Sequence, residues 1–125
     1  MRILLVDDEQ KFVSALARRL CLRGIDAEWA CSGDEAITMV KAGPYDLAVL
    51  DVKMPGIGGI ELKRKLEALA PNMKYIFLTG HGSDEDFQIG SAEASSYLSK
   101  PLRIEKVIEM IRRALDEPVD PGEER

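Results

Sequence analysis

The sequence predicts an α/β domain built on a parallel sheet, with helices packed on both sides. Three observations carry that expectation. Short apolar runs recur without the alternation of a half-exposed strand, helical periodicity fills the intervals between them, and the connections are short. Strands buried on both faces read as unbroken apolar runs, the signature of a parallel sheet. Repeated strand–helix units joined by short loops imply right-handed crossovers, which lay helices over the sheet. The 125 residues make one domain by size, and an apolar content of 46% supplies a core and argues against intrinsic disorder.

The elements follow in order. "ILLV" (3–6) is the first strand. "FVSALARRLCLRG" places Phe12, Leu16 and Leu20 on one helical face and stops at Gly24, a residue suited to the left-handed position after a helix. "AEWA" (27–30) is a weaker strand, and "SGDEAITMVKAGP" opens with a capping-box pair, Ser32 and Glu35, before ending at Gly43-Pro44. "LAVL" (47–50) leads through "PGIGG" (55–59), expected to be a flexible turn, into "GIELKRKLEALAP". Its apolar face is Ile60, Leu62, Leu66 and Leu69, closed by Pro71. "YIFL" (75–78) precedes a fourth helix over 83–94, capped by Ser83 and Asp86 but weakened by Gly90. "YL" (97–98) and the amphipathic "RIEKVIEMIRRAL", with Ile104, Val107, Ile108, Ile111 and Leu115 on one side, complete five strand–helix pairs. The domain is expected to span 1–116, with 117–125 an acidic, proline-containing tail or linker.

A formal charge of −5 argues against nucleic acid or anionic membrane as a direct ligand, because both are held by basic patches. No apolar run approaches the roughly 18 residues of a membrane span, and no cleavable signal pattern follows Met1. Cys21 and Cys31 have no metal-ligand spacing and read as free, buried thiols in a reducing compartment, the cytoplasm.

In open α/β sheets functional groups collect at the carboxyl ends of the strands. Those ends carry Asp7 and Asp8, Asp51, Thr79 and, just past the last strand, Lys100. Converging carboxylates repel and raise one another's pKa unless a positive charge sits among them. A hard divalent cation with oxygen ligands answers this, and Mg²⁺ suits a few carboxylates, a carbonyl, waters and a phosphate oxygen. A carboxylate can also act as a nucleophile and form an acyl phosphate. Phosphoryl transfer needs chiefly alignment and neutralisation of three oxygens. Mg²⁺, the Thr79 hydroxyl and Lys100 can take one each, with Asp51 as the acceptor.

"VDDE", "LAVLDVKMPGIGG", "FLTGHG" and "YLSKP", in that order and spacing, resemble the receiver domain of two-component response regulators. The resemblance implies a doubly wound, flavodoxin-like (βα)5 fold with sheet order 2-1-3-4-5. It implies a cytoplasmic phosphoacceptor switch rather than an enzyme: a sensor histidine kinase or histidine phosphotransfer protein passes its phosphoryl group to Asp51. Carried over by position, Asp8 and Asp51 bind Mg²⁺ directly with the Lys53 backbone carbonyl, and Asp7 acts through coordinated water. Thr79 and Tyr97 match the switch pair, and Lys100 pairs with phosphoryl oxygens beside a cis bond to Pro101. Lys53 and His81 overhang the phosphoryl group and are expected to modulate its hydrolysis. A downstream protein or output domain is the implied partner, and a homodimer through the fourth helix, fifth strand and fifth helix is common in the family. Glu93 stands where many receivers have glycine, which with Gly90 predicts a loose fourth helix.

Each residue has a blander reading. A strand-end aspartate is usually a turn-former or cap, lysine a surface residue, Tyr97 part of the core and His81 a loop residue. It is the constellation that favours function. A phosphorelay shuttle and a constitutive interaction module remain alternatives. A Mg²⁺-dependent aspartate phosphatase typically needs a second acid two residues after its nucleophile, where Lys53 stands. A flavin module needs a phosphate loop where this chain has "DDEQ".

Overall fold

A computed structural model of the chain describes residues 1–80 and 96–115. Its elements are β1 (Arg2–Val6), α1 (Gln10–Leu22), β2 (Asp26–Ala30), α2 (Gly33–Ala42), β3 (Leu47–Asp51), α3 (Gly59–Leu69), β4 (Lys74–Thr79), β5 (Ser96–Ser99) and α4 (Ile104–Ala114). The helix expected over 83–94, with Gly90 and Glu93, and the tail 117–125 lie outside the described residues, as does His81. The sheet runs β2-β1-β3-β4-β5, and every neighbouring pair is parallel. This is the doubly wound order that the resemblance implies.

Alternation along each strand divides the core in two. Ile3, Leu5, Val49, Ile76 and Leu78 face one layer, packed against Val13, Leu16 and Leu20 of α1 and Val107 and Ile111 of α4. Leu4, Val6, Leu50, Tyr75 and Phe77 face the other, against Ala36 and Val40 of α2 and Leu62 and Leu66 of α3. Each fully buried Leu or Ile is worth about 1.5–3 kcal/mol, whereas an exposed ion pair is worth about 0–1 kcal/mol. The apolar layers therefore hold the helices to the sheet.

Helix ends follow the local sequence. Gly24 has φ +83°. Its N–H donates to Cys21 O and that of Ile25 to Leu20 O, each at 3.0 Å, the Schellman pattern. Ser32 Oγ accepts from the Glu35 N–H at 3.1 Å, while the Glu35 carboxylate accepts from the Cys31 N–H at 2.7 Å, one residue earlier than a reciprocal capping box requires.

Two expectations are corrected. Leu69 is 44% exposed; Ala70, four residues beyond Leu66, packs against the core instead. Both cysteines are free, but Cys21 is exposed and Cys31 half-buried. Cys21 follows the buried Leu20 and so lies about 100° around the helix from the apolar stripe.

At the amino ends of the strands, Arg2 ties three elements together. Its guanidinium donates to Pro44 O at 2.8 Å and to Glu28 at 2.9 Å, and lies 4.5 Å over the Tyr45 ring. Tyr45 in turn donates its hydroxyl to Glu28.

Candidate functional site

The opposite, carboxyl edge gathers the acids. Asp7 follows β1 and is fully buried, Asp8 is exposed, and Asp51 closes β3 and is buried. Burial of Asp7 follows from sheet pairing that runs one residue past the strand, its N–H donating to Ala30 O at 3.2 Å. Oxygen atoms of Asp7, Asp8 and Asp51 all lie within 4.8 Å of one another. Burial pushes the Asp51 carboxyl up to about 7, and the charges of Asp7 and Asp8 push the same way; Lys100 and the Lys53 backbone N–H oppose them. A cluster of hard oxygen donors, one of them reluctant to ionise, fits a divalent cation.

Lys100 supplies a positive charge to this edge. Its N–H donates to Thr79 O at 2.8 Å, which fixes the start of the loop, and the Lys100–Pro101 bond is cis. The ammonium lies 2.7 Å from Asp7 Oδ2 and 2.7 Å from Glu9 Oε1, and 4.6 Å over the Phe12 ring. Burial alone would lower its pKa, but hydrogen bonds to Asp7 and Glu9 and the charge of Asp51 outweigh that and raise it. The same contact lowers the pKa of Glu9.

Thr79 is buried at the end of β4, where its hydroxyl donates to Leu98 O at a long 3.5 Å. By strand alternation Thr79 shares the face of Tyr75 and Phe77. Tyr97, paired with Phe77 across the strands, is half-buried against the same layer. The two residues of the expected switch pair therefore share one face of the sheet.

The "PGIGG" segment turns into α3 as expected, with Gly56 at φ +75°, and its last two glycines also serve close approach. Gly59 N–H donates to Val52 O at 3.0 Å. A Cβ on Gly59 would sit 2.3 Å from Asp51 O, and one on Gly58 3.0 Å from Val52 O. These glycines let α3 start directly against the backbone of the Asp51 loop.

The structure thus brings together Asp7, Asp8, Asp51 and Lys100, with Thr79 at the next strand end. Lys53 is exposed beside them, its backbone N–H turned to Asp51. Sequence reasoning missed Glu9, Phe12 and Gly59. The third acid of "DDE" was the available signal for Glu9, and Phe12 was absorbed into the apolar stripe of α1.

Residues 3–112 match the family model of the response regulator receiver domain. The chain belongs to that family. Among curated proteins, this receiver domain is 35% identical over 116 residues to response regulator MprA of Mycobacterium avium, covering 92% of this chain and 51% of that protein. It is 37% identical to MprA of Mycobacterium leprae over the same share of each. The chain spans about half the length of the curated relatives it matches. Among solved structures, a CheY-like receiver domain protein from Methanospirillum hungatei aligns with a TM-score of 0.83 and 33% identity, covering 92% of this chain and 93% of that one. A response regulator from Burkholderia pseudomallei, solved with a phosphorylated aspartic acid, calcium ion and citrate, aligns with a TM-score of 0.79 and 27% identity. That alignment covers 94% of this chain and 75% of the other. Receiver domains bind a divalent metal at an acidic pocket, and here Asp7, Asp8 and Asp51 form one. They are generally non-enzymatic switches. Among the described residues, no helix is long and apolar enough to cross a membrane.

Proposed function

We propose that this receiver domain is a cytoplasmic, phosphorylation-controlled switch in which Asp51 accepts a phosphoryl group from a histidine of a sensor kinase or phosphotransfer protein. The convergence of three carboxylates within 4.8 Å, with Lys100 against one of them, carries this reading. Asp8, Asp51 and the Lys53 carbonyl would hold Mg²⁺, with Asp7 acting through water, and the bound cation would offset the charge of the carboxylates and of the phosphoryl oxygens. An Asp51 carboxylate oxygen attacks the phosphorus. The P–O bond of an acyl phosphate forms as the P–N bond breaks, and the bonding pair leaves with the imidazole nitrogen. Lys100 takes one phosphoryl oxygen and the Thr79 hydroxyl another.

Thr79 moves at small cost, because its hydrogen bond to Leu98 O is already at the long limit. Its departure frees space on the face it shares with Tyr97, whose ring then turns further inward. The changed surface is read by an output domain or downstream partner. Lys53, two residues after Asp51, and His81, two after Thr79, modulate the access of hydrolytic water; Lys53→Ala is expected to change the dephosphorylation rate.

The test is intact mass after incubation with Mg²⁺ and acetyl phosphate. One added phosphoryl group, absent with EDTA and in Asp51→Asn, is the expected result. No adduct, together with no binding of the stable mimic beryllofluoride, would end the reading.

A further inference from the structure

Glu9 occupies the N-cap position of α1, where a side chain ordinarily turns back onto its own helix. It makes no capping bond. Its carboxylate reaches instead to Lys100, 91 residues further along the chain, at 2.7 Å. An ammonium has three donors. Here one goes to Glu9, while Asp7 Oδ2 lies 2.7 Å away as an ion-pair partner and the Phe12 ring sits under the charge. Among the described residues, Asp51 is not one of the carboxylates in ion-pair contact with Lys100; it acts on the ammonium as a charge through space.

The two carboxylates that hold Lys100 are not equivalent. The Asp7 side chain is fully buried, so losing its cation would strand a charge away from water. The Glu9 side chain is 64% exposed and can be rehydrated in place. A released Glu9 also stays at the amino end of α1, where the helix dipole favours negative charge. Glu9 is therefore the partner that Lys100 can give up.

We propose that Glu9 is a positioning residue, a latch that holds Lys100 in the unmodified domain and competes for it with the phosphoryl group on Asp51. The inference rests on the phosphoacceptor reading above. When an oxyanion forms on Asp51, Lys100 keeps Asp7, leaves Glu9 and turns to the new oxygen. Glu9 never touches the phosphoryl group, yet it sets how readily the anion-bound state is reached.

The test compares the full chain with Glu9→Gln and Glu9→Asp. Calorimetry reads beryllofluoride affinity at saturating Mg²⁺, and nitrogen-15 NMR reads the Lys100 ammonium in metal-free protein. Glu9→Gln should bind the mimic roughly three-fold tighter, the scale of one partly exposed ion pair. Glu9→Asp keeps the charge but is one methylene short of Lys100, and it should follow Glu9→Gln. The Lys100 resonance should move in both. If Glu9→Asp instead binds like the wild type while Glu9→Gln tightens, the effect is bulk charge and the latch is wrong. Unchanged affinity in both variants also overturns it. If wild-type protein binds no beryllofluoride, the phosphoacceptor reading itself fails and takes the latch with it, a result independent of any Glu9 variant.

Discussion

Burial and the charges of Asp7 and Asp8 disfavour the ionised form of the Asp51 carboxyl and, without a metal, push its pKa up from the ordinary 3.8 to about 7. Between those two values the folded chain holds a proton that the unfolded chain has released, so stability falls as pH rises through this window. Asp51→Asn should then be more stable than the wild type at pH 8, on the order of 2 kcal/mol after allowance for solvent screening. The gap should close below about pH 4, and urea titrations across pH would show it. The same proton competes with the metal. Mg²⁺ affinity measured calorimetrically should fall by up to about tenfold per pH unit below pH 7 and level off above it. The acids, Thr79 and Lys100 were legible in the sequence because strand ends of a parallel sheet share one edge. Glu9 and Phe12 were not, because the group that gives them a role lies at Lys100, and nothing in a linear pattern reports the direction of an ammonium.

Two glycines matter to their elements for different reasons. Gly24 ends α1 at φ +83° with nothing near its missing side chain, so Gly24→Ala meets only backbone strain, about 1 kcal/mol. Gly59 begins α3 where a Cβ would meet Asp51 O at 2.3 Å, a contact that forces the backbone apart. Gly59→Ala should cost about 2–3 kcal/mol in urea denaturation. It should also weaken beryllofluoride binding about tenfold through displacement of the Asp51 loop, whereas Gly24→Ala leaves binding unchanged. The sequence distinguishes these poorly. A glycine after an amphipathic run is a readable helix stop, whereas a glycine needed for close approach depends on a neighbour that only the fold supplies. Leu69 teaches the same lesson in reverse. Its spacing suited the apolar stripe of α3, but a helix end points wherever its last turn leaves it.

At the scale of the whole molecule the sheet has a chemical polarity, acids with Lys100 at its carboxyl edge and the Arg2 hub at the other. Arg2→Ala removes contacts to Glu28, Pro44 and Tyr45 and should lower the denaturation midpoint. Mg²⁺ affinity should stay within a factor of about two, since among the described residues the two ends share no partners. A parallel sheet with helices on both faces was readable because period and connection length leave few topologies open, whereas the strand order came only with the resemblance to the receiver family. The long separation between Lys100 and its acids has one more consequence. A chain emerging from the ribosome presents Asp7, Asp8 and Asp51 well before Lys100. Until β5 docks, the growing sheet carries its negative charges without their covalent counter-ion. Refolding of the intact chain, followed by Trp29 fluorescence, should be faster in Mg²⁺ than in EDTA if the three acids converge before β5 docks. A cation drawn to the three acids would then help to assemble its own site.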